Sequence, residues 1–156
     1  MSNYICRLMQ EADLNEVIEL VQQAGDFAWS PKNIQESVLS SNDKSFVLSA
    51  ASGSKNTGIV LGYAVIHTVL DESHLLNIVI KKKAQGKGLG DYLLQQLIDF
   101  VKAQNQHLFL LEVRASNSKA IKLYENVGFK RNGIRKAYYP AETGREDAWL
   151  YSLSLV

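Results

Sequence analysis

The amino-acid sequence predicts an α/β fold, with one mixed, mostly antiparallel sheet and helices on both faces. Two near-continuous apolar runs, Leu75–Ile80 and Leu108–Val113, read as interior strands. Each is followed by a segment with helical spacing, which suits a crossover connection. Other strand-like runs follow one another across short turns, the pattern of antiparallel hairpins.

Tyr4–Met9 reads as the first strand. Asp13 sits three residues before Glu16, a variant of the capping box. Leu14, Val17, Ile18, Val21 and Ala24 then recur at helical spacing, and Gly25 closes the segment. Ser30-Pro31 opens a second helix with an apolar stripe of Ile34, Val38 and Leu39. Phe46–Ala50 and Ile59–Val69 are rich in β-branched and aromatic residues, with Asp71-Glu72-Ser73 as the turn after them. The Ser/Gly/Asn-rich stretch Ser49–Gly58 is a loop between two strands, too short to separate domains. A long helix follows Gln85–Gly90 and buries Leu93, Leu94, Leu97, Ile98 and Val101. Ser116-Asn117 caps a helix carrying Ala120, Ile121, Tyr124 and Val127, ended by Gly128. Phe129–Ile134 and Trp149–Val156 are the last two strands, which makes the order βααβββαβαββ.

Composition narrows the class. At 156 residues the chain has the length of one domain, taken as 1–156, and buries about two thirds of its unfolded surface on folding. Seventeen Lys and Arg against sixteen Asp and Glu leave a net charge of +1, which argues against a nucleic-acid coat or a polybasic membrane binder. One cysteine, Cys6, excludes a disulfide framework and any multi-thiolate metal site. No apolar run approaches the roughly 20 residues that span a bilayer. Met1-Ser2-Asn3-Tyr4 offers neither a charged nor an apolar leader region. The expectation is a soluble, cytoplasmic protein, with a monomer favoured.

Three features could carry chemistry. The first is Gln85-Gly86-Lys87-Gly88-Leu89-Gly90, between a strand and a helix. Its glycines let the backbone approach a ligand closely, and the helix N-terminus offers N–H groups to an anion. A phosphate loop for nucleoside triphosphates needs Ser or Thr after Gly-Lys, and the dinucleotide fingerprint needs glycine where Asp91 stands; both matches fail. A pyrophosphate cradle of a third kind and a plain tight connection remain. Lys81, Lys82, Lys83 and Lys87 flank the loop, as phosphate partners or as a solvated face. The second feature is Glu112, alone in an apolar strand. Desolvation there would raise its pKa and suit a general base, whereas an ion pair with Arg114 would leave it structural. The third is Tyr124, on the apolar face of its helix, where a core tyrosine with a wet hydroxyl is the ordinary reading. His67, His74 and His107 show no metal-ligand spacing, Cys6 reads as a small core residue, and no Gly-x-Ser-x-Gly elbow is present.

Taken together, the glycine loop and the segment Asn117-Ser118-Lys119-Ala120-Ile121-Lys122-Leu123-Tyr124-Glu125-Asn126-Val127-Gly128-Phe129 resemble the two signatures of the GNAT superfamily of N-acetyltransferases. Element order agrees along nearly the whole chain. Leu111–Asn117, Tyr138-Tyr139-Pro140, Gly144–Ala148 and Val69–Glu72 resemble the branch that acetylates the N-terminal alanine of a small-subunit ribosomal protein. Phe27-Ala28-Trp29-Ser30 echoes that branch's turn between the first two helices, while Ser52–Thr57 departs from the branch as a slightly longer hairpin loop expected not to touch the site.

The resemblance implies a GNAT fold with the sheet splayed at an acetyl-CoA site, and no metal. It implies Glu112 as general base and Tyr124 as general acid. Ile78, Val79 and Ile80 are expected to pair with the pantetheine arm. Gln85, Gly86, Lys87, Gly88, Leu89 and Gly90 are expected to hold the pyrophosphate, with Asn117 as a further cofactor contact. The partner implied is the N-terminal peptide of a ribosomal protein, with no direct nucleic acid and no membrane. Phe27–Trp29 and Tyr138–Pro140 are candidate walls of the peptide groove. Two other readings stay open: a GNAT enzyme for a lysine or small amine, and a non-catalytic acyl-CoA-binding sensor.

Overall fold

Seven strands form one sheet in the order β1-β2-β3-β4-β5-β7-β6 in the computed structural model, which describes residues 3–25, 28–51 and 58–156. The strands are β1 (Tyr4–Leu8), β2 (Asp43–Ala50), β3 (Val60–Val69), β4 (Glu72–Ile80), β5 (Leu108–Arg114), β6 (Lys130–Pro140) and β7 (Arg145–Ser154). Every neighbouring pair is antiparallel except β4–β5, which is parallel. The helices are α1 (Leu14–Gln22), α2 (Pro31–Leu39), α3 (Leu89–Ala103) and α4 (Ser118–Asn126). The expected element order and the α/β class with a mixed sheet are both present.

The two faces of the sheet carry separate cores. On one face Leu89, Leu93, Leu94, Leu97 and Ile98 of α3 pack against Phe109, Leu111 and Val113 of β5, with Tyr124 of α4 alongside. On the other face Val17, Leu20 and Val21 of α1 and Ile34 of α2 pack against Val47, Tyr63 and Val65. Each fully buried leucine in these layers stabilises the fold by about 1.5–3 kcal/mol relative to exposure. Burial raises the Cys6 thiol to about 11, which keeps it a protonated packing residue.

The caps follow the sequence only partly. The Ser30 hydroxyl accepts from the Asn33 N–H (3.1 Å), and Pro31 occupies the first turn of α2. The Asn117 side chain accepts from the Ala120 N–H (3.2 Å) and starts α4. Asp13 behaves differently from the expected box with Glu16. Its carboxylate grips the Arg7 guanidinium at 2.8 and 2.9 Å and accepts from the Gln10 N–H. Hydrogen bonding from Arg7 holds Asp13 below the usual carboxylate range. Glu16 instead accepts from the Val60 N–H at the start of β3 (3.2 Å).

Three other expectations are corrected. α2 buries Ile34 and Ser37 rather than a full stripe, and Leu39 is 85% exposed. The turn after β3 is Leu70-Asp71, with Leu70 at φ 56, so Glu72 and Ser73 already belong to β4. β6 and β7 form a longer ribbon than periodicity suggests. Residues 135–140 alternate poorly because side-chain bonds support them: Arg145 donates to the Ala137 and Tyr138 carbonyls at 2.7 Å, and Asp147 accepts from the Ala137 N–H. The expected loop Ser52–Thr57 and residue Phe27 lie outside the described residues.

Candidate active site

The centre of the sheet is a fork. β4 and β5 pair only from Glu72↔Leu108 to Leu75↔Leu111. Beyond that point β4 keeps its bonds to β3, through Ile80↔Gly62, and β5 keeps its bonds to β7, through Arg114↔Ala148. The edges that face each other across the opening therefore carry unpaired backbone groups. A bulge marks the branch point: Ile66 pairs with Leu75 and Val65 with Asn77, so Leu76 is the extra residue.

On the α3 side the fork opens into a cavity of about 570 Å³. Ile78, Val79 and Ile80 line it, as do Gln85, Gly86, Gly88, Leu89, Gly90 and Asn117. Of the expected cofactor residues only Lys87 is not in the lining; the cations there are Lys82 and Lys119. Gly88 caps α3 at φ 79 with no side-chain cap bond, which leaves the first-turn N–H groups of the helix to the cavity. Gly86 has φ 80, and a Cβ on either glycine meets no protein atom within 4 Å. The space beside the loop is therefore open, and its amides and helix end suit a phosphate group. The Gln85 side chain is occupied: it donates to the Ile80 carbonyl (3.0 Å) and accepts from Lys119 Nζ (2.8 Å), which ties the loop to α4.

The two candidate catalytic side chains reach the fork from opposite faces of the sheet. Tyr124, 6% exposed, lines the 570 Å³ cavity. Burial, with Tyr139 nearby, pushes its phenol well above the ordinary tyrosine value. Glu112 follows Leu111, the last residue that pairs with β4, and projects to the face opposite Phe109, Leu111 and Val113. Its side chain is 33% exposed, so the apolar neighbours in sequence do not desolvate it. Its ion-pair partner is Arg135 on β6 (3.3 Å), not Arg114. Arg114 pairs with Glu146 (3.0 Å) and donates to the Pro140 carbonyl (2.7 Å). Hydrogen bonds from Ser116 and Arg114 hold Glu146 below the usual carboxylate range.

That opposite face bears two further cavities. One, of about 520 Å³, is lined by Glu112, Arg135, Tyr138, Tyr139 and His74 among others. The second, of about 380 Å³, includes Ala28, Trp29, Asn77 and Arg114, and shares Ala24, Gly25, Ile78 and Val79 with the α3-side cavity. Arg114 lies over the Tyr139 ring at 4.4 Å, and Arg135 over Tyr138 at 5.4 Å. The Tyr139 phenol is raised, first by burial and then by the Glu112 charge. Trp29 thus lines one cavity of this face, and Tyr138 and Tyr139 line the other. Arg135 and Lys119 were not singled out in the sequence, because nothing local distinguishes them from other polar residues on a strand or helix, whereas Asn77, the one polar residue of Leu75–Ile80, carried a local signal that was passed over. Among the described residues, no group of three or more His, Cys, Asp or Glu could hold a metal ion, and no helix is long and apolar enough to cross a membrane.

A glycine-cradled helix end beside a forked mixed sheet suits an anionic ligand, and the profile of the acetyltransferase (GNAT) family matches residues 13–129: the chain belongs to that family. Within it, the chain is 37% identical over 147 residues to the [ribosomal protein bS18]-alanine N-acetyltransferase of Escherichia coli K12, covering 94% of this chain and 95% of that one. The Haemophilus influenzae protein of the same name is 38% identical over 141 residues, covering 90% and 91%. The crystal structure of the ribosomal-protein-S18-alanine N-acetyltransferase from Escherichia coli superposes with TM-score 0.86 at 35% identity, covering 97% of this chain and 94% of that one. A spermidine N-acetyltransferase from Vibrio cholerae, in complex with CoA and spermine, has TM-score 0.82 at 20% identity over 99% and 97% of the chains, a likeness of fold alone.

Proposed function

We propose that this chain transfers the acetyl group of acetyl-CoA to the N-terminal α-amine of an alanine-starting ribosomal protein. The observation that carries the reading is the fork itself: a phosphate-suited cavity on one face, two further cavities on the other, and Glu112 and Tyr124 at the opening between them. The likeness to alanine N-acetyltransferases over nearly the full chain supports the acceptor. The reading places one domain, 1–156, in the cytoplasm as a monomer.

Acetyl-CoA supplies an activated thioester. The amides of the Gly86–Gly90 loop and the N-terminus of α3 hold the pyrophosphate, with Lys82 and Lys119 as neighbouring cations. The unpaired edge of β4 at Ile78–Val79 holds the pantetheine arm as an added strand would be held; the Ile80 carbonyl is already engaged by Gln85. An α-amine has a pKa of about 8 and is partly protonated at pH 7. Glu112 takes its proton, directly or through water. The role rests on its place at the branch point rather than on burial. A backbone N–H of the splayed strand receives the oxyanion. Tyr124 meets the departing sulfur. Since its phenol sits above the ordinary tyrosine value of about 10 and a thiol near 8.5, transfer is uphill, so Tyr124 acts first as a hydrogen-bond donor.

Incubating the purified protein with acetyl-CoA, an alanine-starting peptide carrying an internal lysine, and spermidine tests the reading. Mass spectrometry is expected to locate the acetyl group on the α-amine. Acetylation of lysine or spermidine with the N-terminus untouched contradicts it, and acetyl-CoA binding without any turnover leaves the sensor reading in its place.

A further inference from the structure

The face of the sheet that bears Glu112 carries two arginines held in different ways. Arg114 is taken up by Glu146, the Pro140 carbonyl and the Tyr139 ring. Arg135, with a side chain 56% exposed, makes no hydrogen bond to a described residue. Its Nε stands 3.3 Å from Glu112 Oε1, and its Cζ lies 5.4 Å from the centre of the Tyr138 ring. Glu112, Tyr138 and Arg135 all line the 520 Å³ cavity, so the guanidinium stands at its wall, open to solvent. The strand register brings it there. Glu112, Leu150 and Gly133 form one row across β5, β7 and β6, and Arg114, Ala148 and Arg135 form the next row on the same face. Gly133 adds no side chain to the first row, and Arg135 reaches the carboxylate across β7.

We propose that Arg135 selects a peptide as the acceptor: its guanidinium donates to the carbonyl oxygen of the acceptor's first residue while Glu112 meets the amine. This rests on the reading of the chain as an α-amine acetyltransferase with Glu112 as base. In a peptide N-terminus the amine nitrogen and the carbonyl oxygen of the same residue stand roughly 3 Å apart. The Glu112 carboxylate and the Arg135 guanidinium are separated by 3.3 Å, so one residue can meet both groups at once. Nε faces Glu112, which leaves the two terminal NH₂ groups of the guanidinium as donors. A bond from them to the carbonyl is charge-assisted and fixes the direction in which the amine lies. Lysine side chains and polyamines carry no carbonyl beside the amine-bearing carbon. They leave the guanidinium to water, so the discrimination is modest rather than absolute, because an exposed donor stays hydrated when the substrate does not bond it.

The test compares kcat/KM for two acceptors, an alanine-starting peptide and the same peptide with its first amide replaced by a trans alkene of equal shape, with the wild type and with Arg135→Met. The wild type is expected to prefer the peptide by about tenfold, the low end for a bond to a charged group, and Arg135→Met to lose that preference. The variant also removes the partner of Glu112, so some loss falls on both acceptors; the change in the ratio between them isolates the bond to the carbonyl. Acetyl-CoA affinity by calorimetric titration is expected to stay within about twofold, because Arg135 does not line the α3-side cavity. Should Arg135→Met not fold, Arg135→Leu decides by the same ratio. A preference that persists in the variant, or a wild type that acetylates peptide and alkene equally well, overturns the assignment of Arg135 alone. A wild type that ignores the peptide and acetylates a lysine or polyamine overturns the α-amine reading and this inference together.

Discussion

The two halves of the β4–β5 pair differ in everything except composition. In the closed half, Glu72–Leu75 with Leu108–Leu111, backbone groups satisfy one another, and Phe109 and Leu111 are core. In the open half, Leu76–Ile80 opposite Glu112–Arg114, equally apolar sequence borders cavities on both faces. The side chains of the closed half act on stability. The open half keeps a free strand edge, the bulge, and the Glu112–Arg135 and Arg114–Glu146 pairs. One pair of strands thus supplies both a stiff frame and the opening at which the candidate site lies.

The sharpest way to break this contrast is Glu112→Gln, in the open half. Turnover at neutral pH is expected to fall by about 10²–10⁴, and to recover partially above pH 8 where the acceptor amine is already free. A pH–rate profile parallel to wild type would instead make Glu112 a structural partner of Arg135. The matching change in the closed half is Phe109→Ala, expected to cost about 3–5 kcal/mol of stability by denaturant melt while activity per folded molecule stays near normal. If it altered the chemistry as strongly as Glu112→Gln, the division between frame and site would fail.

Smaller effects sharpen the division. Tyr124→Phe keeps the ring in the core and is expected to lower turnover by about 10²-fold, the low end for a positioned proton donor, with little change in melting temperature. Wild-type turnover would end its assignment as the hydrogen-bond donor to the departing sulfur. Gly88→Val forces a side chain to φ 79 at the head of α3, a strain of about 1–2 kcal/mol, and fills space beside the loop. Calorimetric titration is expected to show acetyl-CoA affinity reduced by about tenfold or more in a variant that still folds. The smallest change lies far from the fork. Asp13 has a depressed folded pKa through Arg7, so its contribution is complete above the unfolded value of about 3.9 and is lost as pH falls through the folded value. The stability gap between wild type and Asp13→Asn is therefore expected at neutral pH and to close in acid, with kcat unchanged.

How much of this was legible beforehand follows from the range of the forces involved. Strand and helix order, the capped start of α2 at Ser30, the glycine break before α3 and the positions of Glu112 and Tyr124 are written locally. Periodicity, caps and glycine conformations act over a few residues, and a sequence displays them directly. The two-sided fork, the partner of Glu112 and the surroundings of Tyr124 were decided only in three dimensions. Period two put Arg114 on the same face as Glu112, yet the carboxylate pairs with Arg135, delivered by β6 through the order β5-β7-β6. Apolar neighbours along β5 suggested a desolvated acid, but the adjacent Leu111 and Val113 point the other way and the acid lines an open cavity. The bulge that sets Asn77 on the face of Val79 depends on the register of β3 against β4. Charge pairing, burial and register are set by whichever distant segment the tertiary fold brings alongside, so the chain's own order records the components of this site but not their partners.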